Sequence, residues 1–286
     1  DLSILTQKVT SLRLGKAYGV HAFSGNVGWA AAPVFVIYAT QLFNWKTALI
    51  LAGFLGLFVV LFFVIFGNDL NDRKFGSNVR IDTPVFSLAS LNKNLSLLFS
   101  STILSCFCFF ALLAAALVGV QSFGISAIQH LYDINITHAT FALSTFLVCS
   151  AIGILSGGIL ADKTTRHDLI AMIGVMLSGL VLILIGSQLI TASSVIACLG
   201  LSGFFSGFTA PSRDMLVKKV TPTGSTGRIF GFVYSGLDFG SSLMPLLLGL
   251  IMDIGSANYV FYTCAVMLFL TIFTVVNVKK RSPTAF

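Results

Sequence analysis

The chain has 286 residues, of which 56% are hydrophobic and only 9% charged, with a formal net charge of +7. A soluble domain carries about 25% charged residues, so this composition excludes an ordinary soluble protein and puts much of the surface against lipid. The positive charge would suit nucleic acid, but it sits in clusters between long apolar runs, which is the pattern of membrane topology.

Runs nearly free of charge predict eight membrane-spanning helices, over 18–40, 47–67, 102–128, 139–161, 169–188, 192–212, 229–252 and 258–278. A spanning helix needs about 20 apolar residues, and these runs lack the alternation of barrel strands. Lys8, Arg13 and Lys16 precede the first span, and Trp45 beside Lys46 reads as an interfacial anchor before the second. A polar segment follows, with Arg73, Lys74, Arg80 and Lys93. Its Leu88, Leu91, Leu95 and Leu98 have near-helical spacing, which predicts a stretch lying on the membrane surface. Lys163 and Arg166 follow the fourth span, Arg213, Lys218, Lys219 and Arg228 the sixth, and Lys279, Lys280 and Arg281 the last. With eight helices, sixteen of the seventeen basic residues fall on one side and only Lys46 on the other. That bias assigns the basic side, and both ends of the chain, to the cytoplasm.

The five cysteines (Cys106, Cys108, Cys149, Cys198 and Cys264) all lie inside predicted spans and read as small packing residues. All ten acidic residues are aspartates. No His-Glu-x-x-His pattern and no Walker-type nucleotide loop occurs, which argues against a membrane-embedded enzyme and against an ATP-driven pump. No catalytic residue, metal site or cofactor is expected, apart from a proton gradient as energy source.

One pattern occurs twice. Gly15, Lys16, Tyr18, Gly19, Asn26, Gly28 and Pro33 recur as Gly227, Arg228, Phe230, Gly231, Asp238, Gly240 and Pro245, at a constant offset of 212. Internal repeats of this kind mark transporters that carry substrate between two related halves. Five spans lie between the repeated helices, so the repeating unit has six. Residues 1–67 then form the last two helices of a first half, 68–101 a cytoplasmic central loop, and 102–286 a second six-helix half. On this reading four helices precede Asp1, and a further Gly-x-x-x-Asp-basic loop is expected about 50 residues upstream of it.

The repeat also points to a transport pathway. Asp238 lies about ten residues into its span, or about 15 Å deep at 1.5 Å per residue, the middle of a ~30 Å core. Asn26 reaches the same depth by the same count. A charge at that depth costs about 2.5–3.5 kcal/mol. Asp238 is therefore either a proton-handling carboxylate, raised by desolvation and lowered by an approaching cation, or a structural residue hydrogen-bonded by its neighbours. Gln121, mid-way along the third span, is a candidate for substrate contact. Gly153/Gly157 and Gly203/Gly207 form two small-xxx-small pairs, with Ser150 and Ser206 beside them, that predict close helix packing.

Six plus six helices around a basic central loop resemble the major facilitator superfamily. Gly158-Ile-Leu-Ala-Asp162-Lys163-Thr-Thr165-Arg166-His167 is similar to the cytoplasmic loop motif of that family, with Thr165 in place of a glycine and His167 in place of a lysine. The resemblance implies that Asp162 holds a facing helix end, here expected near Thr226–Gly227. An ordinary turn flanked by topology charges is the plainer alternative. Gly19, Gly28 and Ala32-Pro33 resemble the antiporter motif of the family's fifth helix, although Ala32 and Val36-Ile37 replace glycines; a small-residue packing face is the alternative. Pro211-Ser-Arg213-Asp214 and Asp1-Leu-Ser-Ile-Leu are similar to bacterial transporters related to fosmidomycin-resistance efflux proteins. Arg213 and Asp214 read either as a gate salt bridge or as helix-end charge. The resemblance implies an all-α polytopic transporter of the inner membrane, a monomer when full length, working by alternating access. Proton-coupled export of a small organic compound is the expected mode, with uptake by symport or uniport as the alternative. Its partners would be a small molecule and the lipid bilayer, with no nucleic acid. A channel would need an oligomeric pore ring, which the repeat argues against.

Overall fold

The computed structural model describes residues 5, 9–66, 97–222, 225–255 and 257–281, and within these leaves out the side chains of 11, 29, 30, 32–34 and 37. Pro33 is among the latter. The expected surface stretch at Leu88, Leu91 and Leu95, and Arg73, Lys74, Arg80 and Lys93, lie outside the described residues. Among the described residues are eight long helices and no strand: α1 (Leu14–Leu42), α2 (Trp45–Phe66), α3 (Ser101–Tyr132), α4 (Ile136–Ala161), α5 (His167–Gly186), α6 (Ala192–Val220), α7 (Thr226–Asp253) and α8 (Asn258–Arg281).

Every predicted span has its helix, but two helices run on. α3 extends to Tyr132 and α6 to Val220, past the expected ends at 128 and 212. Charge clusters mark the edge of the apolar layer, not the last hydrogen-bonded turn, so α6 carries Arg213, Asp214, Lys218 and Lys219 beyond that edge. Among the described residues, seven helices, α2 to α8, are long and apolar enough to cross a membrane.

Helix ends follow local chemistry. The Asn44 side chain accepts the Thr47 N–H at 2.9 Å to open α2, and Asn135 accepts the His138 N–H at 2.9 Å to open α4. Left-handed residues turn the chain between helices: Asp133 (φ 50°), Gln188 (φ 58°) and Gly255 (φ 83°).

α3 and α6 are the buried spines. α3 packs against α7 and α8, α6 against α4 and α5, and α8 joins the two groups through α5. α1 lies along α4 and reaches α6, while α2 leans on α1 and buries only Ala48. The α4–α6 contact is the most extensive, and its cause is the expected glycine pairs. Gly153 and Gly157 sit on the backbones of Phe204 and Phe208, and Gly203 and Gly207 sit on the carbonyls of Phe146 and Ser150. With no Cβ in the way, the two backbones interlock from both sides. Gly236 and Gly240 bring α7 onto Phe107 and Ala111 of α3 in the same way.

Candidate functional site

The basic segments gather at one end of the bundle. There the Asp162 carboxylate accepts two backbone N–H groups from the first turn of α1, Gly15 at 2.6 Å and Lys16 at 3.1 Å. A carboxylate against the positive end of a helix is favoured electrostatically, and two charge-assisted hydrogen bonds strengthen it further. The expected partner near Thr226–Gly227 is therefore wrong by one repeat: Gly15 is the counterpart of Gly227. Glycine is needed at this point, because a Cβ on Gly15 would stand 2.8 Å from Asp162 Oδ1. One turn on, Gly19 meets Gly158, whose Cα would lie 3.3 Å from a Cβ at 19. The two sequence motifs thus fit into each other: Gly158 and Asp162 of α4 receive Gly15 and Gly19 of α1. Lys163 and Arg166 of the same loop are exposed. Lys219 reaches back from α6 and donates to the Thr165 carbonyl at 2.7 Å.

Beside this clasp lies a pair that sequence reasoning missed. Asp168, 2% exposed in the first turn of α5, takes the Lys279 ammonium of α8 at 2.7 Å. An acid at a helix start and a basic run at a helix end were both visible, but nothing in one sequence joins positions 111 residues apart. His167 is buried too, and its Nδ1 has no partner among the described residues.

Arg213 and Asp214 are not helix-end charges. They lie within α6 and form a buried pair, Nε to Oδ1 at 3.0 Å, with side chains 12% and 3% exposed. The guanidinium stacks over Phe110 of α3, 4.4 Å from its centroid, and lies 5.9 Å from that of Tyr234 of α7. These contacts add cation–π attraction to the ion pair. A small cavity of about 20 Å³ adjoins the cluster, lined by Cys106, Phe109, Phe110, Arg213, Val275 and their neighbours. Tyr18 of α1 is fully buried, and among the described residues its hydroxyl makes no hydrogen bond. A buried unsatisfied hydroxyl costs about 1–3 kcal/mol.

The expected midplane residues are not brought together. α1 packs on α4 and α6, α7 packs on α3, and no extensive contact joins α1 to α7. Asn26 is half-buried and donates to the Ala22 carbonyl of its own helix at 3.0 Å. Asp238 sits near the midpoint of α7 on its exposed face. Its carboxylate has no ion pair or hydrogen bond among the described residues. Gln121 is half-buried on α3, the helix against which α7 packs.

The repeat mates use opposite faces. Gly15 and Gly19 are packed, while their mates Gly227 and Gly231 face open space; Gly240 is packed on Ala111, while its mate Gly28 faces open space. Each helix of the repeated pair therefore has one glycine face filled and the complementary one uncovered.

The family model described as Major Facilitator Superfamily matches residues 112–285, well over half of the chain. A comparison with curated proteins gave no match.

Proposed function

Because the chain belongs to the Major Facilitator Superfamily, and so to secondary transporters and not to enzymes, we propose that it exports a small organic compound in exchange for protons. Its setting would be the inner membrane, with the basic end in the cytoplasm and α1 as an eighth span. In this reading α1 and α2 end a first half, and 102–286 form the second. The glycine faces left open on α1 and α7 would be covered by helices related to α3 and α4 through the repeat. Pro211-Ser-Arg213-Asp214 supports kinship with fosmidomycin-resistance-type efflux proteins. The mode of action is rocking of two halves about a central site.

One observation carries the coupling: Asp238. An unpartnered carboxylate half-way along a membrane helix is costly against lipid, about 2.5–3.5 kcal/mol. That face of α7 must therefore meet water or protein, and a carboxylate in such a path can exchange a proton for a substrate. Asn26, at the equivalent position in α1, cannot titrate, so the two related helices would divide the work. α1 supplies a hydrogen-bonding side chain and α7 the protonation site. Gln121 supplies a further polar group on the neighbouring α3.

The test uses energised inside-out vesicles containing the full-length protein, with fosmidomycin and a panel of small organic ions as probes. Export predicts substrate movement opposite to the protons. Asp238→Asn should abolish gradient-driven accumulation while leaving downhill exchange measurable. Undiminished accumulation would remove Asp238 from the mechanism, and movement of substrate with the protons would make the protein an uptake symporter.

A further inference from the structure

α7 has two unlike faces. Gly236 and Gly240 bring one of them onto the α3 backbone. On the other, Ser235, Asp238 and Ser242 are all exposed. Their spacing of three and four residues sets them above one another along the helix. The two serines therefore stand about one turn, or ~5.4 Å, to either side of the Asp238 carboxylate.

This face has a definite chemical sense. The Ser235 hydroxyl donates to the Phe232 carbonyl at 2.7 Å, and the Ser242 hydroxyl to the Asp238 carbonyl at 2.8 Å. Both hydrogens are thus turned back onto α7 itself, and the remaining lone pairs of both oxygens stay available. With the ionised carboxylate between them, the three side chains offer acceptors and no donor. An anion would find nothing to bind it there, whereas a cation finds charge and lone pairs together. Asp238 is the one charged residue between Arg228 and Asp253, and Arg213 is committed to Asp214.

Aromatic rings border the same face. Phe232, Phe107 of α3 and Phe239 form a ladder, with successive centroids 5.2 Å and 6.1 Å apart. Phe239 directly follows Asp238 and is 57% exposed. A cation within about 6 Å of such a ring is attracted to its face. The repeat sharpens the contrast, because positions 235, 238 and 242 correspond to Phe23, Asn26 and Ala30 in α1. The related helix has neither the charge nor the hydroxyls.

We propose that Ser235, Asp238 and Ser242, bordered by Phe232 and Phe239, form the subsite for the charged end of an aromatic organic cation. The amine or onium centre pairs with Asp238, any N–H groups it carries reach the serine oxygens, and its rings lie along the phenylalanines. Proton and cation then compete for the same carboxylate oxygens, so the arrival of one releases the other to water. The inference rests on the exporter reading and names the substrate class for it.

The experiment measures equilibrium binding to the purified full-length protein in detergent, with no gradient imposed. Tetraphenylphosphonium is the probe, and tetraphenylborate is its counterpart of like shape and opposite charge. The phosphonium should bind saturably with release of protons, and the borate should not displace it. Asp238→Asn should weaken phosphonium binding about tenfold, and Phe239→Leu about threefold. Ser235→Ala combined with Ser242→Ala should leave the phosphonium, which has no N–H, unaffected and weaken benzylammonium about tenfold. Each variant is compared with the wild type by size-exclusion profile, so that loss of binding is not loss of fold. Equal binding of phosphonium and borate, no saturable binding, undiminished binding in Asp238→Asn, or benzylammonium binding untouched by the serine changes would overturn the subsite. Gradient-driven export of another solute by the same preparation in vesicles would then leave the exporter reading intact. Substrate moving with the protons, alongside phosphonium binding that depends on Asp238, would remove the exporter reading and keep the subsite.

Discussion

Asp162 shows how much a single side chain can carry. Helix-end electrostatics alone would give it about 0.3–1 kcal/mol. Its two hydrogen bonds to Gly15 and Lys16 raise this to about 1.5–3 kcal/mol, the range for bonds to a charged group. Asp162→Ala is thus expected to weaken the α1–α4 contact by that amount, measured as faster proteolysis at the start of α1. Asp168 makes a parallel case. It is 2% exposed, whereas its partner Lys279 is 42% exposed, so the lysine has little to lose and the aspartate much. Lys279→Met should cost about 1–3 kcal/mol, seen as a lowered melting temperature. Asp168→Asn combined with Lys279→Met should recover part of the loss, because the uncompensated buried charge is then gone.

At the scale of helices, the glycines separate into those that set a contact and those that do not. Gly207 faces the Ser150 carbonyl of α4 directly, whereas Gly56 of α2 faces open space. Gly207→Ala should therefore destabilise the bundle by about 1–3 kcal/mol, as overpacking does. Gly56→Ala should be neutral or stabilising by up to about 1 kcal/mol, since it improves helix propensity. Thermal melts in detergent would compare them, and equal effects would mean that the α4–α6 interlock is not what holds the bundle. The same contrast explains what could be read from sequence. Gly153, Gly157, Gly203 and Gly207 were legible as packing residues because four-residue spacing puts small groups on one helical face. The eight helices were legible because lipid demands long apolar runs. The partner of Asp162 was not, because a helix start offers the same N–H groups wherever it occurs, and only three-dimensional placement decides between Gly15 and Gly227. Arg213 and Asp214 stayed open between an ion pair and helix-end charge for a related reason. Charge marks the edge of the apolar layer, but Phe110 and Tyr234 come from two other helices to cover that edge.

For the whole molecule, the argument turns on which end faces which compartment. The Asp162 clasp, the Lys219–Thr165 bond and the Asp168–Lys279 pair join the starts of α1 and α5 to the ends of α4, α6 and α8. Basic residues from four separate stretches of sequence thereby occupy one end of one bundle. At the other end, where Lys46 is the sole lysine or arginine among the described residues, Tyr132 donates to the Ile185 carbonyl at 2.6 Å and Gln188 to the Leu131 carbonyl at 2.5 Å. Such asymmetry is what orients a polytopic chain during insertion. Single cysteines on a background with the five native cysteines replaced by alanine test this directly. Thr165 is exposed in the basic loop, and Leu189 is 81% exposed between α5 and α6 at the other end. A membrane-impermeant thiol reagent added to intact cells should label Leu189→Cys and leave Thr165→Cys untouched until the membrane is permeabilised. The opposite pattern would invert the molecule. It would also put the Asp162 clasp on the outer side. The direction proposed for proton-driven movement through Asp238 depends on that outcome, because exchanging the two ends exchanges export for uptake.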